Sequence, residues 1–191
     1  MFIARDFKAL LGTAGFSDAL LLNHFKPYEG YVTNVNKLTE LLAAAEIGSP
    51  PYAEMKRRFG WEFNGMRLHE YYFERMKKGG SPADPASKLA VQLKADFGSA
   101  EQWAKDFKGT GSSRGIGWAL LAYDPMGKRC FNIWVNEHDT GHLAGCTPLL
   151  TLDVFEHAYS ADYGLKKPEY ILAFMAAIDW HSVEQAFNEA L

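Results

Sequence analysis

Apolar residues recur at three- and four-residue steps through the first third of the chain, between Leu20 and Leu42. This spacing places apolar side chains along one face of a helix, so the pattern predicts that the chain begins with helical structure. The turn-forming run Gly48–Pro51 predicts the end of the first helix. A second helix is predicted over about residues 65–78. Two such helices would pack antiparallel as an N-terminal helical hairpin.

The clearest linker in the chain is the glycine- and proline-rich stretch Gly79–Pro85. After this linker, helical spacing predicts two more helices, at residues 85–97 and 99–110. Ser99 is a suitable N-cap for the second of them, because its hydroxyl can accept a hydrogen bond from a free backbone amide of the first turn.

The helical period then ends, and short apolar runs separated by turn residues such as Asp124–Gly127 follow. These runs predict three short strands, at residues 118–123, 130–135 and 148–153. A helical pattern returns afterwards, with Pro168 expected to open one late helix and Asp179 to cap the last. The predicted fold is therefore α+β. An N-terminal helical hairpin over residues 1–80 precedes an α/β domain over residues 81–191, which contains a small three-stranded antiparallel sheet.

Composition argues against several classes of protein. The 191 residues carry a net charge of −3, without the concentrated lysine and arginine of a nucleic-acid-binding protein. The apolar runs are too short for a membrane span, and the N-terminus carries charges where a secretory signal would be apolar. Cys130 and Cys146 fit neither a metal-ligand pair nor a disulfide framework. A cytoplasmic location is therefore expected, with a periplasmic one left open.

Histidine is the residue type that carries the candidate chemistry. The chain contains six of them: His24, His69, His138, His142, His157 and His181. A single histidine on an apolar face is more often a hydrogen-bonded core residue than a metal ligand. His157 follows Asp153 by four positions, and these two side chains can converge on one ion. The spacing by itself is a weak signal, so the surrounding residues have to decide.

The segment from Asp153 to Tyr159, with the sequence D-V-F-E-H-A-Y, resembles a signature of the iron/manganese superoxide dismutases. The family's pattern is D-x-W-E-H-A-Y, and only Phe155 departs from it. Three more landmarks follow in the family's order: His24 before Tyr31, His69 opening H-x-x-Y, and Gly115–Trp118 as G-x-G-W. The resemblance extends from about residue 15 to the C-terminus.

The resemblance implies an antioxidant oxidoreductase that converts superoxide to oxygen and hydrogen peroxide. It implies one metal ion per subunit, between the two domains, with the ligands His24, His69, Asp153 and His157. Three imidazoles and one carboxylate suit iron or manganese. Iron is favoured over manganese, because the residue two before the ligand aspartate is Thr151, which is common there in the family's iron enzymes.

The resemblance also assigns a residue that hydrogen-bonds to the metal-bound solvent. Many family members use a glutamine, either on the second helix or after the second strand. The helical position, four before His69, is Gly65, which has no side chain for this role. The other position, twenty beyond Trp118, is His138. We expect His138 to replace the glutamine, with His142 as the fallback.

Aromatic residues and one carboxylate complete the expected site. Tyr31 would place its hydroxyl close to the bound solvent, and Trp118 and Trp180 would wall the cavity. Ordinary core packing is the alternative for Trp180. In the family, the residue matched by Glu156 reaches the ligand histidine of the partner subunit. The chain is therefore expected to form a homodimer or a tetramer.

Three positions depart from the family's common pattern. His24 lies seven residues before Tyr31 instead of eight, so the first helix is expected to be one residue shorter. Without that deletion the ligand position would fall on Asn23, a poorer ligand. Pro27 and Ser160 replace a histidine and a tyrosine that usually line the gateway between subunits. We therefore expect this gateway to be altered.

Two other functions share part of the pattern. A mononuclear non-haem iron oxygenase uses two histidines and one carboxylate, and the third histidine argues against it. A non-catalytic relative would typically have lost metal ligands, whereas this chain retains all four candidates. The expected substrate is superoxide, and no nucleic-acid or membrane partner is expected.

Overall fold

The computed structural model describes all 191 residues of the chain. It contains seven α-helices and three β-strands. The first four helices are α1 (Asp18–Ala44), α2 (Pro50–Glu74), α3 (Lys88–Phe97) and α4 (Ala100–Gly111). The strands are β1 (Gly117–Asp124), β2 (Arg129–Asn136) and β3 (Thr147–Asp153). The remaining helices are α5 (Ser160–Tyr163), α6 (Lys167–Ala177) and α7 (Trp180–Ala190), and short 3₁₀ helices span Lys8–Leu10 and Glu156–Ala158.

Helices α1 and α2 form the predicted antiparallel hairpin. Contacting pairs run in opposite directions along the two helices: Phe25 packs against Phe73, Tyr28 bonds to Glu70, and Asn34 bonds to Glu62. Ser17 and Ser49 cap the two helices, since each hydroxyl accepts a hydrogen bond from a backbone amide in the first turn. The hairpin sets one face of α1 against one face of α2 over several turns.

The predicted start of the second helix at residue 65 is wrong, because α2 begins at Pro50 and ends at Glu74. The run Gly48–Pro51, which is predicted to end the first helix, also starts the second. Ser49 supplies the N-cap, and a proline is tolerated in the first turn because its missing amide would have no helical partner.

The three strands form one antiparallel sheet in the order β2-β1-β3. The predicted strands are confirmed, each lying within the observed one. Strand β1 is central and its residues are buried from Gly117 to Tyr123. The register pairs Trp118 with Asp153 on β3 and with Val135 on β2. This register brings the end of β3 beside the start of β1, where the candidate ligand Asp153 lies.

The C-terminal helices pack around the sheet, and one continuous hydrophobic core joins them to the hairpin. The predicted linker is tied down at its start, since Ser81 donates a 2.9 Å backbone hydrogen bond to Ile178. Ser99 caps α4 as predicted. Asp179 lies at the N-cap position of α7, but its carboxylate accepts a 2.8 Å hydrogen bond from the Ser81 hydroxyl instead of capping the helix. No helix is long and apolar enough to cross a membrane.

Candidate metal centre

Four side chains from four elements of the fold converge at one point. The group consists of His24 on α1, His69 on α2, Asp153 at the end of β3 and His157 in the following 3₁₀ helix. Each offers one potential ligand atom, and these atoms all lie within 4.8 Å of one another. Oδ2 of Asp153 is 3.0 Å, 3.5 Å and 3.2 Å from Nε2 of His24, His69 and His157, respectively.

Local structure explains why Asp153 and His157 face the same point. Oδ1 of Asp153 accepts a 2.8 Å hydrogen bond from the backbone amide of Phe155, which turns the chain out of β3. The 3₁₀ helix that follows carries His157 back towards the aspartate. The hydroxyl of Tyr170 donates a 2.7 Å hydrogen bond to the backbone carbonyl of Asp153. Oδ1 and the backbone carbonyl of Asp153 are therefore both held in place.

His69 is oriented for metal binding by the helix that carries it. Its Nδ1 lies 2.6 Å from the backbone carbonyl of Gly65, and a carbonyl only accepts, so the ring proton is on Nδ1. Nε2 therefore presents a lone pair to the cluster. This atom is buried without any hydrogen-bond partner, which is costly for a polar group unless something else satisfies it. A cation at the centre of the cluster fits that requirement.

The charges around the cluster favour the forms that bind metal. Burial lowers the pKa of His24 and places that of His69 well below its usual value, so both rings are neutral at physiological pH. Burial alone would raise the pKa of Asp153. The charges of His157 and His24 and their hydrogen bonds lower it by more, so the net pKa is well below the ordinary one. Metal ligands of these types bind as neutral imidazoles and as carboxylate.

His157 is the exception among the histidines. Burial lowers its pKa, but the charge of Asp153 and the hydrogen bond to it outweigh burial, so the net pKa is raised. Its side chain is 32% exposed, whereas those of the other three residues are at most 1% exposed. His157 therefore marks the side of the cluster that solvent reaches.

The structure places His138 against this cluster, with its ring centroid 6.1 Å from that of His69. Its Nδ1 accepts a 3.0 Å hydrogen bond from the indole of Trp118, so in the neutral ring the proton is on Nε2. Burial lowers the pKa of His138 to about 4, which keeps the ring neutral. Nε2 then donates to the hydroxyl oxygen of Tyr31, 2.8 Å away.

His142, the fallback, lies elsewhere. It is exposed, and its Nε2 donates a 2.9 Å hydrogen bond to the backbone carbonyl of His138. Its ring bonds to the loop, and no hydrogen bond joins it to the ligands.

Of the two tryptophans expected to wall the cavity, the structure brings one to the cluster. Trp118 is fully buried, and its ring centroid lies 5.0 Å from that of His69. Trp180 begins α7 and packs against Trp103, at 5.3 Å between ring centroids. Trp103 and Trp180 line a different, largely apolar cavity of about 330 Å³ between the C-terminal helices. The expectation for Trp180 is therefore not met, because the start of α7 places its ring on Trp103 in this second cavity.

Two aromatic residues near the cluster were missed from the sequence. Phe155 stacks on His138 at 4.7 Å and on His157 at 5.3 Å between ring centroids. Trp61 packs against His138 at 4.5 Å and against Tyr31 at 5.5 Å. Phe155 was visible as the departure from the family's tryptophan. For Trp61 the signal was its position on α2, two helical turns before His69.

Gly65 has a steric role beside these residues. The ring of Tyr31 occupies the space in which a side chain at position 65 would lie, and an added Cβ would be 2.8 Å from its Cδ1. The glycine thus lets Tyr31 approach the cluster.

The side chain of Glu156 is exposed and forms no side-chain hydrogen bond or ion pair within the chain. A contact between subunits stays a prediction.

Comparison with known proteins identifies the family. A family profile described as "Iron/manganese superoxide dismutases, C-terminal domain" matches residues 85–186, which is more than half of the chain. The chain belongs to the iron/manganese superoxide dismutase family. This confirms the resemblance drawn from the motif at residues 153–159.

Similar proteins in this family differ in the metal that their names carry. The chain is 38% identical to "Superoxide dismutase [Fe]" of Cupriavidus metallidurans, over 93% of this chain and 91% of that protein. It is 35% identical to "Superoxide dismutase [Mn]" of Haloarcula marismortui, over 90% of this chain and 85% of that protein. "Superoxide dismutase [Fe]" of Aquifex pyrophilus is 31% identical, over 93% of this chain and 86% of that protein. Iron and manganese are therefore both represented among the relatives.

Proposed function

We propose that this chain is a superoxide dismutase whose iron or manganese ion is held by His24, His69, Asp153 and His157. The observation that carries the proposal is the convergence of four ligand atoms within 4.8 Å, on elements that lie far apart in the chain. The buried lone pair on Nε2 of His69 supports it, since a cation would satisfy that atom. A bound iron or manganese ion would supply the electron transfer by cycling between the +2 and +3 states.

The residues around the cluster would handle the protons of the reaction. Nε2–H of His138 donates to the oxygen of Tyr31, so the hydroxyl proton of Tyr31 is free to be donated elsewhere. Burial raises the pKa of Tyr31, with the charge of Asp153 acting in the same direction, which keeps that proton on the oxygen at physiological pH. Trp118 fixes the tautomer of His138 on which this order depends. The product peroxide needs protons, and Tyr31 holds one close to the cluster.

Within the two metals of the family, we propose iron for this chain. Two residues support the choice. Thr151 lies two positions before Asp153 and is fully buried on β3, and His138 takes the place of the usual glutamine. The groups that surround the ligands tune the redox potential of the bound metal. This potential in turn decides which metal gives an active enzyme. Reconstitution of the metal-free protein with each ion, followed by activity measurement, tests the choice.

We also propose a division of the chain into domains at residues 80 and 81, with the metal between them. Two of the four candidate ligands come from the hairpin of α1 and α2, and two come from the end of β3 and the residues after it. The short backbone pairing of Ser81 with Ile178 lies at this boundary.

The proposed assembly is a homodimer or a tetramer, and the proposed location is the cytoplasm. The exposed, unpaired carboxylate of Glu156, next to His157, supports a subunit contact at this face. Cys130 and Cys146 are both unpaired, which agrees with a reducing compartment.

Metal analysis of the purified protein, together with a superoxide-scavenging assay, tests the function. About one iron or manganese ion per chain and scavenging that disappears after chelation are expected. If the protein holds neither ion and scavenges nothing after reconstitution with both, the proposal fails. Oxidation of an organic substrate with oxygen, without scavenging, would instead support the oxygenase alternative.

A further inference from the structure

We propose that Trp61 and Glu137 act as a pair of positioning residues that hold His138 against the metal site. The inference rests on the function proposed above, because His138 is the residue expected beside the metal. Trp61 lies on α2, and Glu137 lies in the loop that follows β2. The indole Nε1–H of Trp61 donates a 2.9 Å hydrogen bond to Oε2 of Glu137. This bond links the helical hairpin to the loop that carries His138.

The backbone of Glu137 has a conformation that residues other than glycine rarely adopt. Its φ is +50°, and Lys128, in the turn between β1 and β2, is the only other non-glycine residue with positive φ. Such conformations persist where the surroundings fix them. Here the backbone amide of Glu137 donates a 3.1 Å hydrogen bond to Ile116, and Trp61 holds the carboxylate. Both ends of the residue are thus anchored.

The left-handed turn at Glu137 directs the next side chain inward. His138 is completely buried, whereas Asp139 beside it is exposed. The ring of Trp61 also contacts His138 directly, at 4.5 Å between centroids and an interplanar angle of 71°. Phe155 stacks on His138 at 4.7 Å and 26°. Trp61 therefore fixes the histidine twice, through the preceding residue and through its own ring.

Trp61 is itself held in place from the other side. The guanidinium of Arg58 lies 3.8 Å from the centroid of the Trp61 ring, and Arg58 also bonds to the buried carboxylate of Glu62 at 2.7 Å. A cation over an indole face is an attractive contact. The indole thus has a defined position from which it can set that of the loop.

Only two side-chain hydrogen bonds join the loop at residues 137–140 to the hairpin. One runs from Trp61 to Glu137, and the other from His138 to Tyr31. Loss of the first leaves the second as the only side-chain hydrogen bond between the loop and the hairpin. The hydrogen bonds of His138 to Tyr31 and Trp118 are 2.8 Å and 3.0 Å long, and such bonds weaken when the ring shifts or rotates.

The test compares four variants with the wild type, each loaded with iron. W61F keeps an aromatic ring and removes the indole donor, and E137A removes the acceptor. E137Q keeps an oxygen that can accept the same bond and serves as the conservative rescue. W103F is the matched control, because Trp103 also donates from its indole to a side chain, 3.0 Å from Oδ1 of Asn132, away from the cluster.

Two readouts report on His138 besides activity. One is the midpoint potential of the bound iron. The other is the ¹⁵N spectrum of the His138 ring in the zinc-loaded protein, which is diamagnetic and accepts the same types of ligand. We expect W61F and E137A to shift the potential, to alter the ¹⁵N signal of Nε2, and to lower dismutase activity about tenfold, the lower end of the effect for residues that support metal ligands. E137Q should restore the values lost in E137A, and W103F should change neither potential nor spectrum.

A double-variant cycle tests whether the effect passes through His138. In an H138A background, W61F should cause no further shift of the potential, because the residue that it positions is gone. The inference is overturned if W61F equals W103F in potential and spectrum, or if its full effect persists in H138A. If wild-type protein loaded with iron scavenges no superoxide, the proposed function fails instead. In that case the spectra of the zinc-loaded variants alone decide whether Trp61 and Glu137 position His138.

Discussion

The substitution Gly65→Ala tests whether the contact between Tyr31 and His138 depends on the absence of a side chain in α2. A Cβ at position 65 would lie 2.8 Å from Cδ1 and 2.9 Å from Cε1 of Tyr31. Ordinary contacts begin at 3.4 Å, so the ring has to retreat by at least 0.6 Å. If the hydroxyl moves equally far, its 2.8 Å hydrogen bond to His138 lengthens to about 3.4 Å, outside the usual range.

Gly60 provides the control for this substitution, because it lies on the same helix and an added Cβ would meet nothing within 4 Å. Alanine in place of glycine in a helix stabilises by about 1 kcal/mol, and both variants receive that gain. Overpacking costs about 1–3 kcal/mol, and only Gly65→Ala pays this cost. The free energies of unfolding of the two variants should therefore differ by about 1–3 kcal/mol.

Thermal melts and dismutase assays of both metal-loaded variants measure the effect. For a chain of this size, each kcal/mol corresponds to about 2–4 °C in Tm, with Gly65→Ala expected to be the lower. Its activity should fall about tenfold, while Gly60→Ala keeps wild-type activity. Equal Tm gains in the two variants, with full activity in both, would refute the steric role assigned to Gly65.

Three further predictions concern the metal and the residue beside it. His157→Ala should abolish metal binding, measured by metal content after dialysis, and retention of a full complement of metal would count against the ligand set. His138→Ala should keep the metal but change activity or metal preference, and loss of the metal would make His138 a ligand. Metal affinity, followed by titration at several pH values, should fall as the pH drops through the raised pKa of His157, because the proton then competes for its Nε2. Asp153, with its lowered pKa, should remain ionised over that range and contribute no pH dependence. A metal affinity that is independent of pH below 6.5 would contradict the assignment of His157 as a ligand.

The parts of the fold that the sequence predicted are those with strong local signals. Ser99 caps α4, Pro168 lies in the first turn of α6, and the strands coincide with short apolar runs bounded by turn residues. Helix α2 was predicted too short because a proline after a serine can end one helix and open another. Asp179 failed to cap α7 because Ser81, 98 residues away, binds its carboxylate. Tertiary contacts decide whether such a carboxylate caps its own helix or binds a distant side chain.

The site was predicted to the extent that its residues stand in dense motifs. Asp153 and His157 lie four residues apart in one motif, whereas Trp61 and Glu137 are separated by 76 residues. No local pattern signals that an indole and a carboxylate so far apart will bond. Trp180 shows the opposite error: the sequence assigned it to the metal site, but in the fold it packs on Trp103 in a different cavity.

The central claim is that a single metal ion lies among His24, His69, Asp153 and His157. An anomalous-difference map, recorded at the iron edge from a crystal of the active, iron-loaded protein, tests it most directly. The account predicts one peak per chain within bonding distance of Nε2 of the three histidines and of Oδ2 of Asp153. A peak elsewhere, or active protein whose crystals show no peak at this cluster, would contradict it.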